Sequence, residues 1–166
     1  MKIEPYSQLI HCKRWADRSL HEAVADNFDR FDAEEKSIIV RILDHIHAVD
    51  RIFRCHLLGQ AHDFTAARSE VLPGIDELAA TARFVDDWYV SYVDDLPAAA
   101  FDEPLAFTFT SGKPARMTRG EIILHVCMHG TYHRGNAGIL FQKKGLMPGR
   151  DSITDYLEAT ALDAAA

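Results

Sequence analysis

Apolar positions recur along most of this chain at helical spacing, and they predict four long helices. From about Pro5 to Asn27, Leu9, Cys12, Trp15, Ala16, Leu20 and Val24 form one stripe, with Pro5 suited to a helix start. His11 and His21 fall off that stripe and are expected to face solvent. Asp32, followed by Glu34 and Glu35, reads as an N-cap with acids in the first turn, opening a helix from roughly Ala33 to Leu58 that Gly59 ends. Its apolar positions are Ile38, Ile42, Leu43, Ile46, Val49, Ile52, Phe53 and Leu57. A third helix, about Ile75 to Asp95, is expected to bury Leu78, Ala82, Val85, Trp88, Tyr89 and Tyr92. Its acids Asp76, Glu77, Asp86 and Asp87 read as a solvated face, and Leu96-Pro97 stops it. The fourth helix opens at Thr118, with Glu121 completing a capping box, and closes at Lys143-Lys144-Gly145.

The intervals are equally readable. Residues 60–74 lack a period and contain Pro73-Gly74, so they form a loop. Between Pro104 and Met117 the pattern is no longer helical: Ala106 to Thr110 alternates, Ser111-Gly112-Lys113 is turn-like, and Pro114 to Met117 can return as a strand. A small hairpin or an extended crossover is expected there, with Pro114 at an edge. After Gly145, Pro148-Gly149 makes a turn, Ser152 to Leu157 one short helical turn, and residues 158–166 a frayed tail. The expectation is a single domain over residues 1–166, all-α, a four-helix bundle with one long crossover. Bundles of this kind build metal sites from side chains on facing helices.

Composition narrows the function classes. The 166 residues, 48% apolar and 26% charged, suit one soluble domain. A net charge of −7 argues against nucleic-acid binding, which a basic stripe normally announces. No apolar run is long enough for a membrane span, and MKIEPYSQLIHCKRW has no signal-peptide form, so a cytoplasmic protein is expected. Cys12, Cys55 and Cys127 are isolated and odd in number, which fits reduced thiols.

The candidate chemistry lies in the histidines of the fourth helix. His125, His129 and His133 follow one another by four residues, one turn apart on one face. Imidazoles at i and i+4 can share a metal ion, but no Glu follows His125 as in the zinc-protease pattern, and a further ligand must come from elsewhere. Cys127 stands about 200° from His129 and is not a ligand. On the second helix His45 lies in one stripe with Val49, Ile52 and His56, where a histidine is ordinarily a hydrogen-bonded core residue; His47 points about 200° away from it.

Three stretches resemble the DinB/YfiT-like family of four-helix-bundle metalloenzymes. Leu124 to Leu140, LHVCMHGTYHRGNAGIL, is similar to its terminal-helix motif H-V-x-x-H-x-x-x-H-R-G-Q; Leu43 to Phe53 resembles N-H-x-x-x-x-D-R-x-W; and Trp15-Ala16-Asp17 stands where the family often has W-A-N. The resemblance implies one divalent metal ion, zinc or nickel foremost, held by His45, His129 and His133 with positions left for water. It makes His47 and His56 bystanders and His125 a buried structural histidine. It also implies pairing as a homodimer. Asn136 replaces the family Gln, which puts a contact of that side chain in question, and Asp17 replaces Asn with a negative charge. Arg134 has two readings, a carboxylate or substrate-anion partner and a helix-packing residue. Tyr132 reads as packing, and Trp15 as a bundle-core residue rather than a pocket wall.

Three imidazoles with open positions resemble a catalytic site rather than a closed structural one. Such an ion can hold a thiol deprotonated for transfer, or acidify a bound water for hydrolysis. Since some family members are thiol S-transferases, the resemblance ranks transfer of a low-molecular-weight thiol to an electrophilic, stress-related small molecule first. Metal-dependent hydrolysis comes second, and a non-catalytic metal-binding protein is the third reading.

Overall fold

Two reciprocal caps set the frame. Glu35 N–H donates to Asp32 Oδ1 and Asp32 N–H to Glu35 Oε2, both at 2.9 Å. Thr118 and Glu121 repeat the exchange at 3.1 and 2.7 Å. Each pair satisfies two helix-end donors that would otherwise have no partner. In the computed structural model, which describes residues 5–163, these caps open α2 (Ala33–Leu58) and α4 (Arg119–Lys143). The other helices are α1 (Pro5–Asn27), α3 (Ile75–Asp95) and α5 (Ile153–Asp163). Gly59 ends α2 at φ 64° and Gly145 follows α4 at φ 66°, conformations in which a side chain would be strained.

The described chain is mostly helical, with one small antiparallel sheet. α1 packs on α3 and α4, and α2 on α4 and α3. The buried apolar residues fall into two clusters. One gathers Ile10, Val49, Phe53, Tyr89, Ile122 and Val126; the other gathers Leu20, Val24, Ile39, Leu43, Leu78 and Phe141. No described helix is long and apolar enough to cross a membrane.

The crossover is a hairpin. β1 (Pro104–Thr108) pairs with β2 (Pro114–Thr118) from Pro104↔Thr118 to Thr108↔Pro114. The first strand starts two residues before the alternating stretch Ala106–Thr110 and ends at Thr108, where Phe109 N–H turns to the Lys113 carbonyl and closes the loop. Phe107 then stacks on His56 at 4.2 Å between ring centroids, docking the hairpin on α2. Thr118 ends β2 and caps α4, so the hairpin fixes where the histidine helix begins.

The C-terminal segment departs from the expected single turn and frayed tail. α5 runs through residues 158–163, while 164–166 lie outside the described residues. Ser152 caps it by accepting from Asp155 N–H at 3.1 Å, and its alanines favour helix. It is tethered to α1 at Gly149, where a Cβ would fall 2.5 Å from Leu20 N, a backbone approach only glycine permits. Trp15 is half-buried with its ring edge-on to Tyr156 at 5.9 Å, so it docks α5 instead of filling the bundle core.

Candidate metal centre

α4 sets His129 and His133 one turn apart, and its packing on α2 brings His45 to them. His129 Nε2 lies 3.0 Å from His45 Nε2. The ring centroids are separated by 4.8 Å for His45–His129, 4.5 Å for His45–His133 and 4.4 Å for His129–His133. One ring nitrogen from each residue lies within 4.8 Å of the other two. Tetrahedral zinc at about 2.0–2.1 Å from imidazole spaces its nitrogens about 3.3 Å apart, the scale of this cluster.

Electrostatics keep His129 and His133 neutral. Burial, then His133 and His45, lower the pKa of His129 to about 3. Burial and His45 lower that of His133. A neutral imidazole offers its lone pair to a metal; a protonated one does not. His45 Nδ1 donates to the Ala67 carbonyl at 2.6 Å, which leaves its Nε2 lone pair toward His129. Nδ1 of His129 has no partner among the described residues. All three side chains are half-buried, so the cluster is not sealed. This donor set fits a divalent ion, and imidazole suits zinc, nickel, copper or iron.

The neighbouring histidines stay outside the group. His125 is half-buried against Phe53, with its ring 5.6 Å from that of His129. His47 is buried on the other side of α2, and burial followed by Arg51 lowers its pKa to about 4. His56 is held by Phe107. Cys127 is buried too, its thiol pushed up to about 12 by burial. Tyr132 is exposed, contrary to the packing expectation, because it lies on the outer face of α4. Asn136 is half-buried.

A model of the DinB family matches residues 4–164. The chain belongs to the DinB family. Neither a curated protein nor a solved structure matches it.

The DinB-family chain also holds a charged cluster that the periodicity did not reveal. Lys13 Nζ donates to Asp17 at 2.7 Å, Asp50 at 2.7 Å and Asp86 at 2.8 Å, all buried. Arg134 donates to Asp17 at 2.8 Å and, through two nitrogens, to Asp151 at 2.7 and 2.9 Å. Arg134 is therefore a carboxylate partner that also ties the segment before α5 to α4 and α1. Asp86 is not on a solvated face, and His21 is half-buried with an Nδ1 that has no partner among the described residues. The three carboxylates lie close enough for a metal, but the lysine already supplies the cation. Burial opposes ionisation of Asp17, yet Lys13 and Arg134 outweigh it and hold its pKa low. At Asp50 burial wins over Lys13 and raises the pKa to about 6; Asp86 is raised well above the usual carboxylate range by burial.

This carries a pH signature. An unfolded Asp50 loses its proton near pH 3.9, the folded one near 6, so the folded state binds the extra proton in between and stability from this group falls as pH rises. The cost of Asp50→Asn is therefore expected to shrink from pH 4 to pH 7 in urea unfolding; a cost that grows over that range contradicts the assignment.

Proposed function

We propose that this chain is a four-helix-bundle metal-dependent enzyme in which His45, His129 and His133 hold one divalent ion, zinc or nickel. Its reaction is transfer of a low-molecular-weight thiol to an electrophilic, stress-related small molecule. The observation that carries the reading is the convergence of three half-buried imidazoles from two facing helices. Three protein donors leave a position free, as catalytic zinc sites do and structural ones do not. When bound there, the ion acts as a Lewis acid that lowers the pKa of a thiol, or of a water in the second-ranked hydrolytic reaction. His45 enters with its Nε2 lone pair directed by the Ala67 carbonyl, and His129 stays unprotonated through burial. A cavity of about 660 Å³, with His45, Arg41, Arg68 and Glu70 in its wall, gives room beside the cluster for a polar co-substrate.

The three free cysteines suit a reducing cytoplasm. The outer face of α4, where Met128, Tyr132 and Ile139 are exposed at helical spacing, supports pairing with a second copy.

The test is a conjugation assay with zinc- or nickel-loaded protein, a panel of small thiols and a chromogenic electrophile. Turnover that needs metal and disappears in His133→Ala supports thiol transfer. Metal-dependent ester or amide cleavage without conjugation would replace it with hydrolysis, and inertness of the loaded protein in both assays would contradict an enzyme.

A further inference from the structure

The loop between α2 and α3 is tied to α2 at two consecutive residues. Ser69 N–H donates to Asp44 Oδ2 at 2.9 Å. His45 Nδ1 donates to the Ala67 carbonyl at 2.6 Å. A carbonyl only accepts, so this second contact puts the imidazole proton on Nδ1. Residues 60–74 contain no helix or strand before Gly74, so Ala67 is not held by regular structure of its own. The grip on Ser69, two residues further along, restrains it.

Asp44 is a poor choice for packing alone. It is 1% exposed, and its Oδ1 has no partner among the described residues. A buried carboxylate oxygen without a partner costs stability, and an apolar residue of similar volume would serve the core better. Its one described side-chain hydrogen bond holds the loop that orients His45.

We propose that Asp44 is a positioning residue of the metal centre. By accepting from Ser69 N–H it clamps residues 67–69 onto α2, and so holds the Ala67 carbonyl that sets the tautomer and ring plane of His45. The purpose of this clamp rests on the metal-centre reading, while the clamp itself belongs to the metal-free chain. The cavity lined by Asp44, His45, Arg68, Ser69 and Glu70 is bounded by the same loop, so its shape and the direction of His45 are set together.

The experiment uses metal-free, full-length protein with 15N-labelled histidine, in which long-range 1H–15N spectra distinguish the two imidazole tautomers. The parent is expected to show His45 with its proton on Nδ1. Asp44→Ala populates the Nε2–H form of His45, leaves the His125 signals in place, and weakens zinc affinity, measured against a chromophoric chelator, by about 10–100-fold. Asp44→Asn, which keeps an acceptor for Ser69, retains both parent values. Ser69→Pro removes the donor from the loop side and reproduces the Asp44→Ala spectrum even where that variant folds poorly. An unchanged His45 tautomer in Asp44→Ala and Ser69→Pro overturns the inference, as does an Asn variant that behaves like Ala. A parent that binds no zinc while its His45 tautomer still responds to Asp44→Ala supports the clamp and overturns the metal-centre reading instead.

Discussion

Lys13→Met is expected to destabilise the fold by about 3–5 kcal/mol, the cost of removing one partner from a buried ion cluster. That is a large share of the roughly 5–15 kcal/mol that holds a typical domain together. The ammonium sits 2.7–2.8 Å from carboxylates on α1, α2 and α3. Burial disfavours its charge, but the three aspartates outweigh that and raise its pKa well above the usual lysine value. Without it, Asp50 and Asp86 have no cation within hydrogen-bond distance among the described residues, while Asp17 keeps Arg134. The triple variant Lys13→Met/Asp50→Asn/Asp86→Asn should therefore recover much of the loss, because it removes the buried acids left without their partner along with the lysine. Urea unfolding of the parent, single and triple variants checks this. A single variant as stable as the parent would mean that the cluster contributes nothing.

His129→Ala is expected to leave the metal-free protein almost as stable as the parent and to remove the response to metal. The His129 imidazole is half-buried, desolvated and has an unpartnered Nδ1, so its loss changes metal-free stability by no more than about 1 kcal/mol. With zinc at about 1,000 times its Kd, the parent gains about 4.1 kcal/mol by mass action. For a domain of this size that is a rise in melting temperature of roughly 8–16 °C. The variant should show almost none of it. Scanning calorimetry with and without zinc makes the comparison, and an equal rise in both proteins would place zinc elsewhere.

These two outcomes mark what the sequence reveals and what it hides. The starts of α2 and α4 are legible because caps and apolar periods agree: Asp32 and Thr118 make the reciprocal caps their spacing predicts, and Gly59 ends α2 in the left-handed cap. His45, His129 and His133 come together through the packing of α2 on α4, which i, i+4 spacing plus a family motif anticipates. Lys13, Asp17, Asp50 and Asp86 were hidden because periodicity assigns charge to solvent, and mutual neutralisation is a property of three helices at once. A cue existed on α1, where Lys13 and Asp17 are i, i+4 partners beside Ile10, Ala16 and Leu20. Asp44 was hidden for another reason. Its partner is a backbone N–H in a loop without period, and no side-chain pattern encodes that bond.

The proposed chemistry depends on His45, His129 and His133 holding a metal ion. Its most direct test is metal content by mass spectrometry on protein purified without an affinity tag or added metal, beside His129→Ala/His133→Ala prepared in the same way. About one zinc or nickel per chain is expected in the parent, and essentially none in a double variant whose helical circular dichroism is unchanged. No metal in the parent, even after incubation with divalent ions, or an equal content in the double variant, would contradict it.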